Sequence, residues 1–263
     1  MPFKVSARVL HQLGAELISS DAIAFYELIK NAFDAHSKRV KISVVSRIPY
    51  DALKELKDLL LNEKKQREIP QENFVDEFQK RLLDAITFSY PEETPLSQEI
   101  LKARSYDALE KALDEANYIV IADTGKGMSY GDLESIYLTV GTPSRWHQKQ
   151  QSFLDLIDHP NKDADTILGE KGVGRLSVMR LGNKLRVTTS KEGEKRWNIL
   201  DVDWSLFLDV DKYIEDIDIK PCHGGLKENK SVSGTTLYIT SLTSEWSKEK
   251  LEDIAKMEFS KLT

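Results

Sequence analysis

Helical periodicity dominates the first half of this 263-residue chain and strand periodicity the second, and that segregation predicts an α+β fold. The expected form is a two-layer α/β sandwich: a mixed, largely antiparallel sheet with helices over one face and a helical insertion. Three observations carry this. Val40, Ile42 and Val44 alternate inward along residues 39–46. Residues 118–122, 184–190 and 196–202 repeat the strand pattern. Residues 48–116 contain no glycine, are dense in charge and read as helix.

In chain order, a first helix is expected over residues 6–14 and a second from Asp21, read as its N-cap, to Ala35. Within residues 48–116, Leu53, Leu56, Leu59 and Leu60 mark one helix and Phe74, Phe78 and Leu82 another. Leu109, Leu113 and Ala116 mark a third, with Pro91 and Pro95 as breakers before it. The strand at 118–122 stops at Asp123-Thr124-Gly125-Lys126-Gly127-Met128 and is followed by a helix over 130–138. Residues 143–168 read as irregular and close at Gly169-Glu170-Lys171-Gly172-Val173-Gly174, which opens a helix from Arg175 to Leu181. Glu192-Gly193 is the expected turn of a hairpin joining 184–190 to 196–202. Gly234-Thr235-Thr236 begins a final strand, and residues 244–263 begin a helix that reads as cut short inside a longer protein.

The formal net charge of −6 gives no general attraction to nucleic acid or anionic membranes, so nucleic acid enters only indirectly. Cys222 is the single cysteine, which excludes an internal disulfide and fits a reducing, cytoplasmic setting. No apolar run approaches the roughly 18 residues of a membrane span.

The chemistry concentrates at three places. Glu27, Asn31 and Asp34 fall at i, i+4 and i+7 on one helix face, with the small Ala35 beyond them. Two carboxylates and a carboxamide there are costly to bury unless a polar ligand meets them. Asp123 puts a carboxylate at the mouth of a sheet, able to accept from an exocyclic amine such as that of adenine. Gly125 and Gly127 beside it allow tight turns and close approach of a flat ligand. Gly169, Gly172 and Gly174 lead into a helix whose backbone N–H groups suit phosphates. Neither segment is a Walker loop, and Ser177 stands where a Rossmann fingerprint needs its third glycine.

In this order the segments resemble those of the GHKL ATPase superfamily, which unites DNA gyrase, 90-kilodalton heat-shock chaperones, histidine kinases, MutL-type and Morc-type ATPases. Glu27 to Ala35 resembles the N-box, 123–128 and 169–174 the two glycine boxes, and 234–236 the short final motif. The N-box is closer to the chaperone, MutL and Morc branches than to kinases. The resemblance implies the Bergerat ATP-binding fold over residues 1–243, with an ATP lid at 141–170. It implies ATP and Mg²⁺ as cofactors, with Glu27 as the general base and Asn31 as the metal ligand. Asp123 would receive the adenine amine, Thr235 would support it through a water, and Gly125, Gly127 and Met128 would wall the base pocket. Asp34, Thr142, Gly169, Lys171, Gly172, Val173, Gly174 and Arg175 complete the implied nucleotide contacts.

The implied activity is ATP hydrolysis coupled to lid closure and to homodimerisation within a chaperone-like, DNA-associated or prokaryotic-defence machine. The alternatives are a histidine-kinase-type catalytic domain and a nucleotide-gated interaction module with negligible turnover. Lys126 reads as solvated, and His11, His36 and His147 carry no metal pattern.

Overall fold

The computed structural model describes residues 4–86, 93–139 and 174–258. Its elements run α1 (Ala7–Leu17), α2 (Asp21–Asp34), β1 (Val40–Ser46), α3 (Tyr50–Gln66), α4 (Glu72–Ala85), α5 (Glu93–Lys102), α6 (Tyr106–Ala116) and β2 (Asn117–Asp123). After the short α7 (Tyr130–Asp132), a π-helical turn covers Leu133–Tyr137. A 3₁₀ turn at Gly174–Ser177 leads into α8 (Val178–Leu181), followed by β3 (Gly182–Ser190), β4 (Arg196–Asp203), β5 (Cys222–Leu226), β6 (Gly234–Leu242) and α9 (Lys248–Glu258).

The six strands form one sheet in the order β1-β2-β6-β3-β4-β5, and every pairing is antiparallel among the described residues. Alternation along the strands turns Ile119, Ile121, Leu185, Val187, Leu200, Val202 and Ile239 to one face. There they pack under Ala24, Phe25 and Leu28 of α2 and Leu181 of α8 to make the main core. Val40, Ile42 and Val44 face that core half-buried, as their alternation predicts.

Helices α3–α6 replace the turn between two adjacent strands, since Ser46 of β1 pairs directly with Asn117 of β2. The buried Asn117 staples the two ends: its Oδ1 accepts from Arg47 N at 2.8 Å and Ile48 N at 3.0 Å, and its Nδ2 donates to Ile48 O at 2.7 Å. The inserted helices own a second core around Leu53, Leu56, Phe78, Leu82, Leu109 and Leu113. Buried Asp114 ties them to the sheet by gripping Lys57 at 3.1 Å and Lys184 at 2.7 Å, while Lys57 also donates to Ser241 Oγ at 2.9 Å.

Several expectations are corrected. Helix α2 is capped by Ser20, whose hydroxyl accepts from Ile23 N at 3.2 Å, so Asp21 is the first helical residue. Pro95 does not separate helices but sits in the first turn of α5, where a missing N–H leaves no intrahelical bond unmade. Gln79 closes the other end of α5 by donating to Ile100 O and Ala103 O, both at 2.8 Å. The helix expected over 130–138 is π-helical after its first turn, and the one expected from Arg175 begins as 3₁₀. Strand β5, which lies in the connection before β6, was not expected.

Residues 244–258 share the main core. Trp246 meets Phe25 edge-on at 5.0 Å, and Asp21 holds Arg180 at 3.0 Å, Ser244 at 2.9 Å and Lys250. Burial alone would disfavour the charge on Asp21, but Lys250, Ser244 and Arg180 outweigh it and hold the carboxyl below its ordinary value.

Candidate functional site

The end of α2 is welded to the loop after β2. Lys126 N donates to Ala35 O at 2.9 Å, and Thr124 N donates to Ser37 Oγ at 2.9 Å. Gly125 makes the approach feasible: a Cβ on it would stand 2.6 Å from Ala35 O and 2.9 Å from Ala35 Cβ. The small Ala35 therefore serves backbone contact with this loop.

Gly127 has φ +63°, and a Cβ there would collide with Ser190 O at the end of β3. Gly234 has φ +137°, and a Cβ there would collide with Asp123 O. Both positions combine a backbone conformation that favours glycine with a backbone neighbour in the way. The glycines thus bring β2, β3 and β6 together at one point.

At that point Asp123 Oδ1 accepts from Gly125 N at 2.8 Å and Thr235 N at 3.3 Å. Among the described residues no donor reaches its Oδ2. Burial pushes the Asp123 carboxyl up from its ordinary value, and the two backbone bonds offset only part of this. Such a carboxylate gains from an N–H donor brought by a ligand.

Thr189, fully buried, accepts from Met128 N at 2.9 Å, donates to Gly234 O at 2.9 Å and lies 3.0 Å from Thr235 Oγ1. Asn198 Nδ2 donates to Met128 O at 3.2 Å. Sequence reasoning missed both residues. Only the pairing of Thr189 with Thr235 across β3 and β6 exposes the first. Thr235 engages protein directly, through its N–H on Asp123 and its hydroxyl on Thr189.

Glu27, Asn31 and Asp34 are each half-buried along α2. Lys30, also missed, places its Nζ 3.7 Å from Glu27 Oε1, and its i, i+3 spacing was the available signal. The 3₁₀ turn at Gly174–Ser177 packs on α2, which brings the end of the second glycine segment to the helix carrying Glu27. Thr142, Gly169, Lys171, Gly172 and Val173 lie outside the described residues, as does the segment expected to be a lid, and so does the side chain of Arg175. Lys126 is exposed.

No group of three or more His, Cys, Asp or Glu side chains that could hold a metal occurs among the described residues. The donors on α2 are oxygens, carboxylate and carboxamide. That set suits a hard cation held chiefly by a ligand's own phosphates rather than by a protein cage.

A family model described as histidine kinase-, DNA gyrase B-, and HSP90-like ATPase matches residues 107–246, more than half of the chain. The chain belongs to this family. The matched stretch contains Asp123, Gly127, Thr189 and Thr235, while Glu27, Asn31 and Asp34 lie ahead of it.

Curated relatives include the chaperone protein HtpG of Orientia tsutsugamushi, 27% identical over 121 residues, which is 46% of this chain and 18% of the chaperone. HtpG of Treponema pallidum is 25% identical over 155 residues, covering 54% and 21%. HtpG of Treponema denticola is 28% identical over 147 residues, with the same coverage of 54% and 21%. The similarity thus falls on the heat-shock-chaperone branch, and the chain spans about a fifth of the length of these relatives. Among the described residues no helix is long and apolar enough to cross a membrane.

Proposed function

We propose that this chain is an Mg²⁺-dependent ATP-binding and hydrolysing module of a larger cytoplasmic protein. One observation carries the reading. The Asp123 carboxylate stands on a floor of glycine-box and strand-end backbone, with one oxygen held by two N–H groups and the other met by no donor among the described residues. An exocyclic amine fits that vacancy in chemistry and charge, and Gly127 and Met128 would form the walls of the base pocket.

In this reading Glu27 takes a proton from the water that attacks the γ-phosphorus, and ADP leaves with the bridging oxygen. Asn31 offers its carboxamide oxygen to Mg²⁺, which when bound would offset charge developing on the phosphates. Lys171, Gly172, Val173, Gly174 and Arg175 would bind phosphate, with Asp34, Thr142 and Gly169 nearby. The 141–170 segment would close over ATP and favour pairing of two copies, because a γ-phosphate contacts it in only one state. Chaperone-like work is the role the relatives favour.

The Lys30–Glu27 pair supports a second reading, a nucleotide-gated module with negligible turnover. The ammonium competes for the carboxylate with the water that a base must hold.

Titration calorimetry with Mg·ATP and a phosphate-release assay test both readings. Asp123→Asn is expected to abolish binding, and Glu27→Ala to keep binding while losing about 10²-fold or more in turnover. No heat with the unaltered protein would sink both readings. Binding with turnover no faster than that of Glu27→Ala would leave the gated module.

A further inference from the structure

Helices α3 and α4 of the insertion leave between them an open cleft of about 640 Å³, remote in sequence from every nucleotide motif. Its floor is apolar: Leu56 is buried, and Ala52, Leu59 and Ala85 are half-buried. Its rim carries the exposed carboxylates of Glu55, Asp58 and Asp84. Arg81, the cation on this rim, is already bound to Glu77 at 2.7 Å. Among the described residues the three rim carboxylates have no cationic partner.

The charge of the chain repeats this pattern on a larger scale. Residues 48–116 hold 16 acidic against 10 basic side chains, a net −6. The whole chain has 43 acidic against 37 basic, so the remainder is balanced at 27 against 27. The inserted helices therefore carry the entire formal net charge, and the cleft is an apolar trough within their acidic surface.

We propose that this cleft is a docking groove for a basic amphipathic helix of a partner protein. An apolar stripe on such a helix would cover Leu56 and Leu59, while its lysines or arginines meet Glu55, Asp58 and Asp84. These carboxylates would steer the approach and set its direction. Nucleic acid and anionic lipid are repelled by the same charges. A second copy of the insertion is disfavoured because it would place like charges face to face.

The test uses a fluorescently labelled Leu/Lys amphipathic peptide of about five helical turns, without nucleotide, so its outcome is independent of the ATPase reading. Binding by anisotropy is expected, weakening as NaCl rises from about 50 to about 300 mM. Glu55→Lys/Asp58→Lys/Asp84→Lys should reduce affinity about tenfold or more, whereas Glu68→Lys/Glu72→Lys/Glu99→Lys, an equal charge change elsewhere on the insertion, should reduce it less than about threefold. All six positions are exposed, so both variants are expected to fold. Hydrogen exchange on the unaltered protein should show the peptide protecting α3 and α4. Absence of binding, equal loss in the two variants, or protection elsewhere overturns the proposal. So does a dimer, seen by sedimentation, that the cleft variant dissolves, since the occupant would then be a second copy.

Discussion

The hydroxyl of Thr189 lies 3.0 Å from that of Thr235, and the direction of the bond between them is fixed. Thr189 has one proton, and the carbonyl of Gly234 at 2.9 Å can only accept it. Thr235 must therefore donate to Thr189 and show only lone pairs to the proposed base pocket. Together with an ionised Asp123 this favours an amino-purine over an oxo-purine. Thr189→Val should strand Met128 N and Gly234 O, lowering stability by about 1–3 kcal/mol in thermal melts, and Thr189→Ser should restore most of it. In competition binding, Thr189→Val should also reduce any preference for ATP over GTP by about tenfold.

Gly127 and Gly131 make a matched pair. Gly127→Ala forces a Cβ into Ser190 O at positive φ, whereas a Cβ at Gly131 meets nothing within 4 Å. Gly127→Ala should destabilise by about 1–3 kcal/mol or prevent folding, while Gly131→Ala stays within about 0.5 kcal/mol by denaturant titration.

Nucleotide affinity should fall with acidification. Burial raises the Asp123 carboxyl above 3.8, so its contribution to stability is fully present below that value and lost as pH rises through the folded value. A bound amine reverses this preference by stabilising the ionised form. Calorimetry in buffers of different ionisation enthalpy should then show proton release on binding at acid pH that diminishes as pH rises.

Asp21 titrates in the opposite sense. Burial opposes its charge, yet Lys250, Ser244 and Arg180 hold its carboxyl below 3.8. Its stabilisation is complete above 3.8 and is lost as pH falls through the folded value. Trp246, edge-on to Phe25 with Lys250 4.1 Å from its ring centroid, reports the change by fluorescence. Asp21→Asn at neutral pH should loosen α9 and cost about 1–2 kcal/mol.

Much of this fold was legible because its signals are local. The amphipathic repeat of α2, the alternation of β1 and the Gly193 turn between β3 and β4 each depend on neighbours in sequence. Helix α5 was hidden by Pro91 and Pro95, which mark a helix start as readily as a break. Strand β5 escaped because Cys222–Leu226 is an edge strand with two glycines and no apolar alternation.

The candidate site divides the same way. Glu27, Asn31, Asp123, Gly127 and Thr235 sit in motifs whose spacing is visible in the chain, and so was the family they imply. The pairing of β1 with β2 across the whole insertion, the Asn117 staple, the meeting of Thr189 with Thr235 and the cleft between α3 and α4 were decided only in three dimensions. Each is a contact between segments distant in sequence, whose register is set by core packing and hydrogen-bond satisfaction. No periodicity within either segment encodes such a register.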